Sequence, residues 1–335
     1  MRPILHKTLI WVLVSVLFII PACTTEKKQA PNDRQPSKMK QFNTGNSQPE
    51  LLTSTENASI PLITQNGEKY VAVREIVNLL DYHGEWDPAS LTYKIGDTDV
   101  VYQLRINSRQ AIKEETPIQL AAAPMIIHGT AYIPVSSIND LFQEDMTYRI
   151  EDQALTIYPP QGQSPNQDAE EDFGDDPGDP AKAEEASVVP NVGPTYTAAR
   201  LRNVNTNKLI RTSRRYLGVR YKFGAAPYPR SKRFDCSTYS KFVYAKYGVR
   251  LGGTARSQAR QGNTVSKKRL RKGDLMFFYV PGRFKSNRVV GHIGIYMGGG
   301  RMIHSSPEPK NGVQITNINK AYWKKTFLKA KRVVY

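Results

Sequence analysis

The sequence predicts an α+β protein built from two folded segments, and three observations carry that expectation. A Gly turn, an alternating strand and a short apolar-periodic helix occur twice within residues 59–159, at a constant offset of 62 positions. In residues 196–335 a helical pattern beginning at Cys236 precedes alternating β patterns around His292 and His304, as expected for helices packed on an antiparallel sheet. Two polar stretches, 23–58 and 160–195, flank the first segment and lack apolar periodicity.

Residues 1–22 have the three-part plan of a secretory signal peptide: Arg2 and Lys7, an uncharged run from Thr8 to Ile20, then Pro21-Ala22. The apolar core is short for a bilayer span. The ending Ile20-Pro21-Ala22-Cys23 resembles a bacterial lipobox, with Pro21 an unusual member. The resemblance implies that Cys23 carries lipid and holds an exported protein at the cell membrane, facing the cell wall. The alternative is ordinary cleavage near Ala22 with Cys23 left as a free thiol, which is uncommon in exported proteins. Residues 23–58 are rich in Gln, Asn, Ser, Thr, Pro and Lys and read as a disordered tether. Its typical span is roughly 30–35 Å.

In residues 59–159, Asn66-Gly67-Glu68-Lys69-Tyr70-Val71-Ala72-Val73 aligns with His128-Gly129-Thr130-Ala131-Tyr132-Ile133-Pro134-Val135. The alignment runs on through Ile76 and Ile138, then Leu79-Leu80 and Leu141-Phe142. Two copies predict a duplicated β-α-β unit sharing one core. Tyr70-Val71-Ala72-Val73-Arg74-Glu75-Ile76, followed by Gly84-Glu85-Trp86-Asp87-Pro88, resembles the copper-amine-oxidase N-terminal-like stalk domain of secreted bacterial proteins. That resemblance implies no copper. His83 and His128 read as turn residues without companion ligands.

The linker 160–195 holds nine Asp or Glu against one Lys and is expected to be disordered. The segment beyond it has the opposite character, with 32 Lys or Arg against Asp235, Asp274 and Glu308, a net charge of +29. An exported domain of this charge meets teichoic acids, anionic head groups and peptidoglycan carboxylates rather than nucleic acid. A merely soluble surface would mix both signs.

Three acids leave little for other hydrolytic chemistries. A glycosidase needs two carboxylates across the scissile bond, and a zinc hydrolase needs several His, Asp, Glu or Cys ligands. Asp274 reads as closing a turn before a buried strand, and Glu308 sits between prolines. There remain Cys236, at a helix start where the dipole and free N–H groups favour thiolate, and His292 and His304 on consecutive strands joined at Gly298-Gly299-Gly300. Taken singly, each histidine reads as structural. Together with a helix-capping cysteine they form a candidate catalytic set.

The ordered motifs Tyr221-Lys222-Phe223-Gly224, Phe234-Asp235-Cys236-Ser237, Gly273-Asp274-Leu275-Met276-Phe277-Phe278, Gly291-His292-Ile293-Gly294-Ile295-Tyr296 and Met302-Ile303-His304 resemble the NlpC-type family of bacterial cell-wall cysteine peptidases. The resemblance covers the C-terminal 140 or so residues and implies a reduced papain-like domain over 196–335. It implies Cys236 as nucleophile, His292 as general base and acid, and His304 as orienting group. Tyr221 would line the oxyanion region, while Asp235 and Ser237 would bind the stem peptide. No metal or organic cofactor is implied, and the substrate would be peptidoglycan stem peptides, cut at the D-glutamyl to diamino acid bond. Two departures are the long basic stretch 225–233 and Cys-Ser-Thr in place of Cys-Ser-Gly. The other function classes left open are a papain-like N-acetylmuramoyl-L-alanine amidase and a non-catalytic wall-binding protein.

Overall fold

The computed structural model describes residues 57–160, Phe173 and residues 203–335. The signal-peptide segment 1–22, Cys23, nearly all of the tether 23–58 and most of the linker 160–195 lie outside the described residues.

The stalk domain begins with β1 (Ala58–Gln65), β2 (Glu68–Ala72), α1 (Val73–Leu79) and β3 (His83–Asp87). It continues with β4 (Thr92–Gly96), β5 (Tyr102–Arg105), β6 (Gln110–Lys113), β7 (Thr116–Gln119) and β8 (Met125–Ile127). The domain ends with β9 (Thr130–Pro134), α2 (Ile138–Phe142), β10 (Thr147–Ile150) and β11 (Ala154–Tyr158). The repeat is visible at its turns. Asn66-Gly67 and His128-Gly129 all have positive φ, the conformation that Asn and Gly tolerate best, and each pair leads into a strand and then a helix. β2 and β9 pair antiparallel with Val71 opposite Ile133, so the two copies meet edge to edge. Val71, Ile76 and Leu80 of the first copy share a core with Ile133, Ile138 and Leu141 of the second.

The copies then diverge. After α2, β10 returns to the six-stranded sheet β10-β11-β1-β2-β9-β8, whereas after α1 the chain builds a separate five-stranded meander, β3 to β7. His83 therefore starts β3 instead of lying in a turn, and its ring centroid is 4.3 Å from that of Phe223. The β4–β5 turn, residues 97–101, doubles back so tightly that a Cβ on Gly96 would collide with the Asp99 carbonyl. That hairpin tip matters for the site.

The second domain contains α3 (Thr206–Arg214), α4 (Tyr228–Ser231), α5 (Cys236–Ala245), α6 (Ala255–Gln258), β12 (Asn263–Val265) and β13 (Leu275–Phe278). It closes with β14 (His292–Gly298), β15 (Arg301–Ser306), β16 (Gly312–Asn317), α7 (Ala321–Thr326) and β17 (Phe327–Arg332). One antiparallel sheet, ordered β12-β17-β13-β14-β15-β16, forms its centre. Alternation along β13 fills both faces: Leu275 and Phe277 pack with Tyr239 and Val243 of α5, while Met276 and Phe278 pack with Tyr296 and Phe327. Asp274 holds the turn into β13 by accepting from the Arg271 N–H at 2.7 Å and pairing with Arg332 at 2.7 Å. The result is α+β with helices on an antiparallel sheet, as the sequence predicts.

The two domains pack as one compact unit. Phe284 of the second domain is buried in the stalk core. Arg256 reaches across to Asp145 at 2.7 Å and to the hydroxyls of Tyr82 at 3.0 Å and Tyr102 at 3.1 Å, and Lys285 meets Asp97 at 2.5 Å. Charges of this kind enter a protein interior only when paired. In the acidic linker segment, Phe173 is buried against Phe327, ring centroids 5.2 Å apart, with the Lys267 ammonium over its ring.

Candidate active site

Cys236 is the first residue of α5, and the residues around it fix that position. The Asp235 carboxylate accepts from the Thr238 N–H at 2.7 Å while Thr238 Oγ1 accepts from the Asp235 N–H at 2.9 Å, a reciprocal capping box. Behind the cap, Phe234 stacks on Tyr228 with centroids 4.5 Å apart, and Tyr216 and Phe242 pack edge-on or tilted around it. The basic stretch 225–233 thus supplies α4 and an aromatic anchor for the cysteine helix. A parallel bridge between Tyr221 and Phe234 lays Tyr221 beside Cys236.

The two histidines come together through the β14–β15 hairpin, whose Gly298-Gly299-Gly300 turn has positive φ throughout. His292 Nε2 lies 2.8 Å from His304 Nδ1, and His304 Nε2 lies 2.9 Å from Thr316 Oγ1. The Trp323 ring flanks both imidazoles. Thr316 is a site residue that sequence reasoning missed. It stands opposite Met302 on β16, and only the strand register brings it to His304.

Asp235 and Ser237 are buried with internal partners. Asp235 caps α5, and the Ser237 hydroxyl donates to the Gly253 carbonyl at 2.8 Å. The Tyr221 hydroxyl donates to the Thr98 carbonyl at 3.2 Å.

Thr98 belongs to the stalk, on the β4–β5 turn, and no sequence signal pointed to it. Its Oγ1 lies 3.0 Å from Cys236 Sγ, 3.0 Å from His292 Nδ1 and 2.5 Å from the Gly291 carbonyl oxygen. A hydroxyl has one proton, and the carbonyl can only accept it. Thr98 therefore donates to Gly291 and accepts both from the thiol and from an N–H at His292 Nδ1. The chain of donors is then Thr316 to His304, His304 to His292, and His292 to Thr98. His292 carries its proton on the nitrogen facing Thr98.

Electrostatics favour neutral groups throughout the site. Burial pushes the Cys236 thiol well above its ordinary range, and the nearby Asp99 and Asp235 carboxylates push it further the same way. Burial also takes His292 down to about 3, and burial with the neighbouring His292 lowers His304. Asp99 rises to about 7 through burial and its neighbour Asp235, and Asp235 rises to about 6 through burial. Burial and the two carboxylates thus work against the thiolate that the helix start favours. A helix terminus contributes roughly half a positive charge, and loss of water plus two carboxylates outweighs it. Among the described residues no three His, Cys, Asp or Glu side chains converge as metal ligands.

Comparison with known proteins adds the family. Residues 218–332 match the NlpC/P60 family, and residues 53–157 match the copper amine oxidase N-terminal domain. The chain is similar to a peptidoglycan DL-endopeptidase, CwlO, of Bacillus licheniformis, 36% identical over 29% of this chain and 20% of that protein. It is 33% identical to the murein DD-endopeptidase/murein LD-carboxypeptidase MepS of Escherichia coli K12, over 35% of this chain and 57% of the relative. It is 31% identical to a gamma-DL-glutamyl hydrolase of Bacillus subtilis, over 42% of this chain and 33% of that protein. The chain thus spans between a fifth and just over half of the length of these relatives.

Proposed function

We propose, from the premise that residues 218–332 are an NlpC/P60 domain carried behind a copper amine oxidase N-terminal-like domain, that this protein is a peptidoglycan endopeptidase acting on stem peptides through Cys236, His292 and His304. The observation that carries the reading is that Cys236, the first residue of α5, and His292 both lie 3.0 Å from Thr98 Oγ1, with the facing nitrogens of His292 and His304 2.8 Å apart. For catalysis, His292 must present an unprotonated Nδ1 to the thiol. Its proton then sits on Nε2 and is donated to His304 Nδ1, whose own Nε2–H donates to Thr316.

In that tautomer His292 takes the thiol proton and the sulfur attacks the scissile carbonyl carbon, forming a C–S bond. The oxyanion would be held by backbone N–H groups at the start of α5 other than that of Thr238, which the Asp235 cap takes, and by the Tyr221 hydroxyl once it leaves the Thr98 carbonyl. As the C–N bond breaks, the imidazolium gives its proton to the leaving amine. Water then attacks the thioester with His292 as base, releasing a carboxylate and restoring the thiol.

The bond is proposed to be D-glutamyl to diamino acid, a choice supported by the D,L-endopeptidase and gamma-DL-glutamyl hydrolase names among the relatives. Digestion of isolated sacculi, with products identified by mass spectrometry, tests this. New stem-peptide ends support it, a free lactyl end would make the protein an amidase, and no product would leave a wall-binding protein.

The domain of net charge +29 is proposed to bind anionic wall polymers, and Cys23 to carry the lipid of a membrane anchor. Retention on sacculi is expected to fall steeply as salt rises, since screening shortens from about 10 Å at 0.1 M to about 3 Å at 1 M. Indifference to salt would sink the polymer reading. For the anchor, mass spectrometry of the mature N-terminal peptide should show acylated Cys23, and an unmodified thiol there would end the lipoprotein reading.

A further inference from the structure

We propose that the stalk is an intramolecular inhibitor whose β4–β5 turn plugs the catalytic cleft, so that the chain folds into a latent form and cuts substrate only when the stalk withdraws. The consequence for catalysis rests on Cys236 being the nucleophile; the occlusion itself does not.

The first argument is steric. A scissile carbonyl must approach Sγ to about 3–3.5 Å before attack. Thr98 Oγ1 already occupies that shell at 3.0 Å, and Cys236 is only 1% exposed. A polymeric substrate has no route to it. The plug also places the site in the unproductive protonation state, because Thr98 accepts from the thiol and from His292 Nδ1–H and leaves no base facing the sulfur.

The second argument is that the contact is built. On the cleft side, Asp99 accepts from the Ala255 N–H at 2.5 Å, Asp97 pairs with Lys285, and Glu115 takes the Gly253 N–H and lies 3.4 Å from the Lys241 ammonium. Lys285 and Asp97 are 2% and 3% exposed, and Arg256 and Asp145 3% and 0%. Separating them leaves charges that must be rehydrated as the domains part, which suits a switch between two defined states. Shape agrees with charge. A Cβ on Gly224 would lie 2.8 Å from Val100, one on Gly291 would lie 2.5 Å from Asp97 Oδ2, and one on Gly253 would collide with Glu115. Three glycines of the catalytic domain have their bare faces against the stalk.

The covalent connection permits withdrawal. β11 ends at Tyr158 and Phe173 is docked on the second domain, so even with that contact kept the roughly 14 residues between them reach on the order of 50 Å when extended.

The test compares the full chain with Asp97→Ala, which removes the carboxylate partner of Lys285 and leaves its bond to the Asp81 carbonyl, and Glu115→Lys, which places like charge against Lys241 at the exposed rim and leaves both cores untouched. Two rates are read in each: alkylation of Cys236 by iodoacetamide, followed on the tryptic peptide from Phe234 to Lys241, and release of products from purified muropeptides. In the native wild-type chain, alkylation is expected to be at least about a hundredfold slower than in the same chain unfolded in urea. Asp97→Ala is expected to raise it about a hundredfold and Glu115→Lys about three- to tenfold, with hydrolysis rising in parallel. Faster alkylation without hydrolysis supports the plug and removes Cys236 as the nucleophile. A wild-type thiol that reacts as fast as in urea overturns the proposal, as do unchanged rates in Glu115→Lys and in a folded Asp97→Ala.

Discussion

Replacing Cys236 with alanine is expected to lower hydrolysis of stem peptides by about 10⁴-fold or more while the chain folds as before. In the proposed mechanism the side chain supplies the attacking atom, and Cys236 is the free thiol among the described residues. Water held by His292 is a far weaker nucleophile than a thiolate, so little rate survives. The fold should tolerate the change because only Sγ is lost from the Tyr239–Leu275–Ile293 core, a deletion worth about 1 kcal/mol, and the Asp235–Thr238 capping box that starts α5 does not involve the side chain. The measurement is best made in the Glu115→Lys background, where the cleft is expected to open and occlusion does not mask the chemistry. Thermal unfolding of the same protein checks the fold. A residual rate above about one per cent of the parent would rule out the cysteine mechanism.

What the sequence discloses and what it hides divide along a physical line. The duplicated unit is legible because its turns require residues that accept positive φ, and Asn66-Gly67 and His128-Gly129 mark the same point in each copy. The sites of Cys236, His292 and His304 are legible because local geometry makes them, a helix start in one case and a two-strand hairpin in the other. Thr98 is hidden. It meets Cys236 and His292 across 138 and 194 residues, and Gly96-Asp97-Thr98-Asp99 has only the look of a turn between strands. Thr316 is hidden for the same reason on a smaller scale, since only strand register brings it to His304.

Charge is a subtler case. The excess of Lys and Arg after residue 196 predicts an external anionic polymer, but Asp97, Glu114, Glu115 and Asp145 of the stalk already meet Lys285, Arg260, Lys241 and Arg256. Composition counts charges without placing their partners. A wall polymer bound as proposed would therefore meet a basic face from which the stalk has taken a share, and a polyanion strong enough to compete for those cations would also loosen the plug.

His292→Ala and His304→Ala are expected to differ by about two orders of magnitude, and that asymmetry tests the assigned roles. In the proposed mechanism His292 moves the proton in every step, so its removal should cost about 10⁴-fold in kcat. His304 only accepts the His292 Nε2–H and passes the hydrogen bond to Thr316, so its loss should cost about 10²-fold, with KM little changed because neither group holds the stem peptide. His304 is fully buried beside Trp323, and alanine there also leaves a small cavity. A fall in activity alone would therefore not separate positioning from packing. The separating measurement is the pH profile of kcat/KM in a chain with the plug opened. Without an acceptor at Nε2 the His292 imidazolium is less stabilised, so its pKa falls and the limb that reports it moves to lower pH. His304→Gln, whose side-chain oxygen can accept the same proton, should restore most of kcat and return the limb toward its original position. If His304→Ala were silent, or lowered activity with no movement of the limb and no recovery in His304→Gln, His304 would be a packing residue and the orienting role would have to be sought elsewhere.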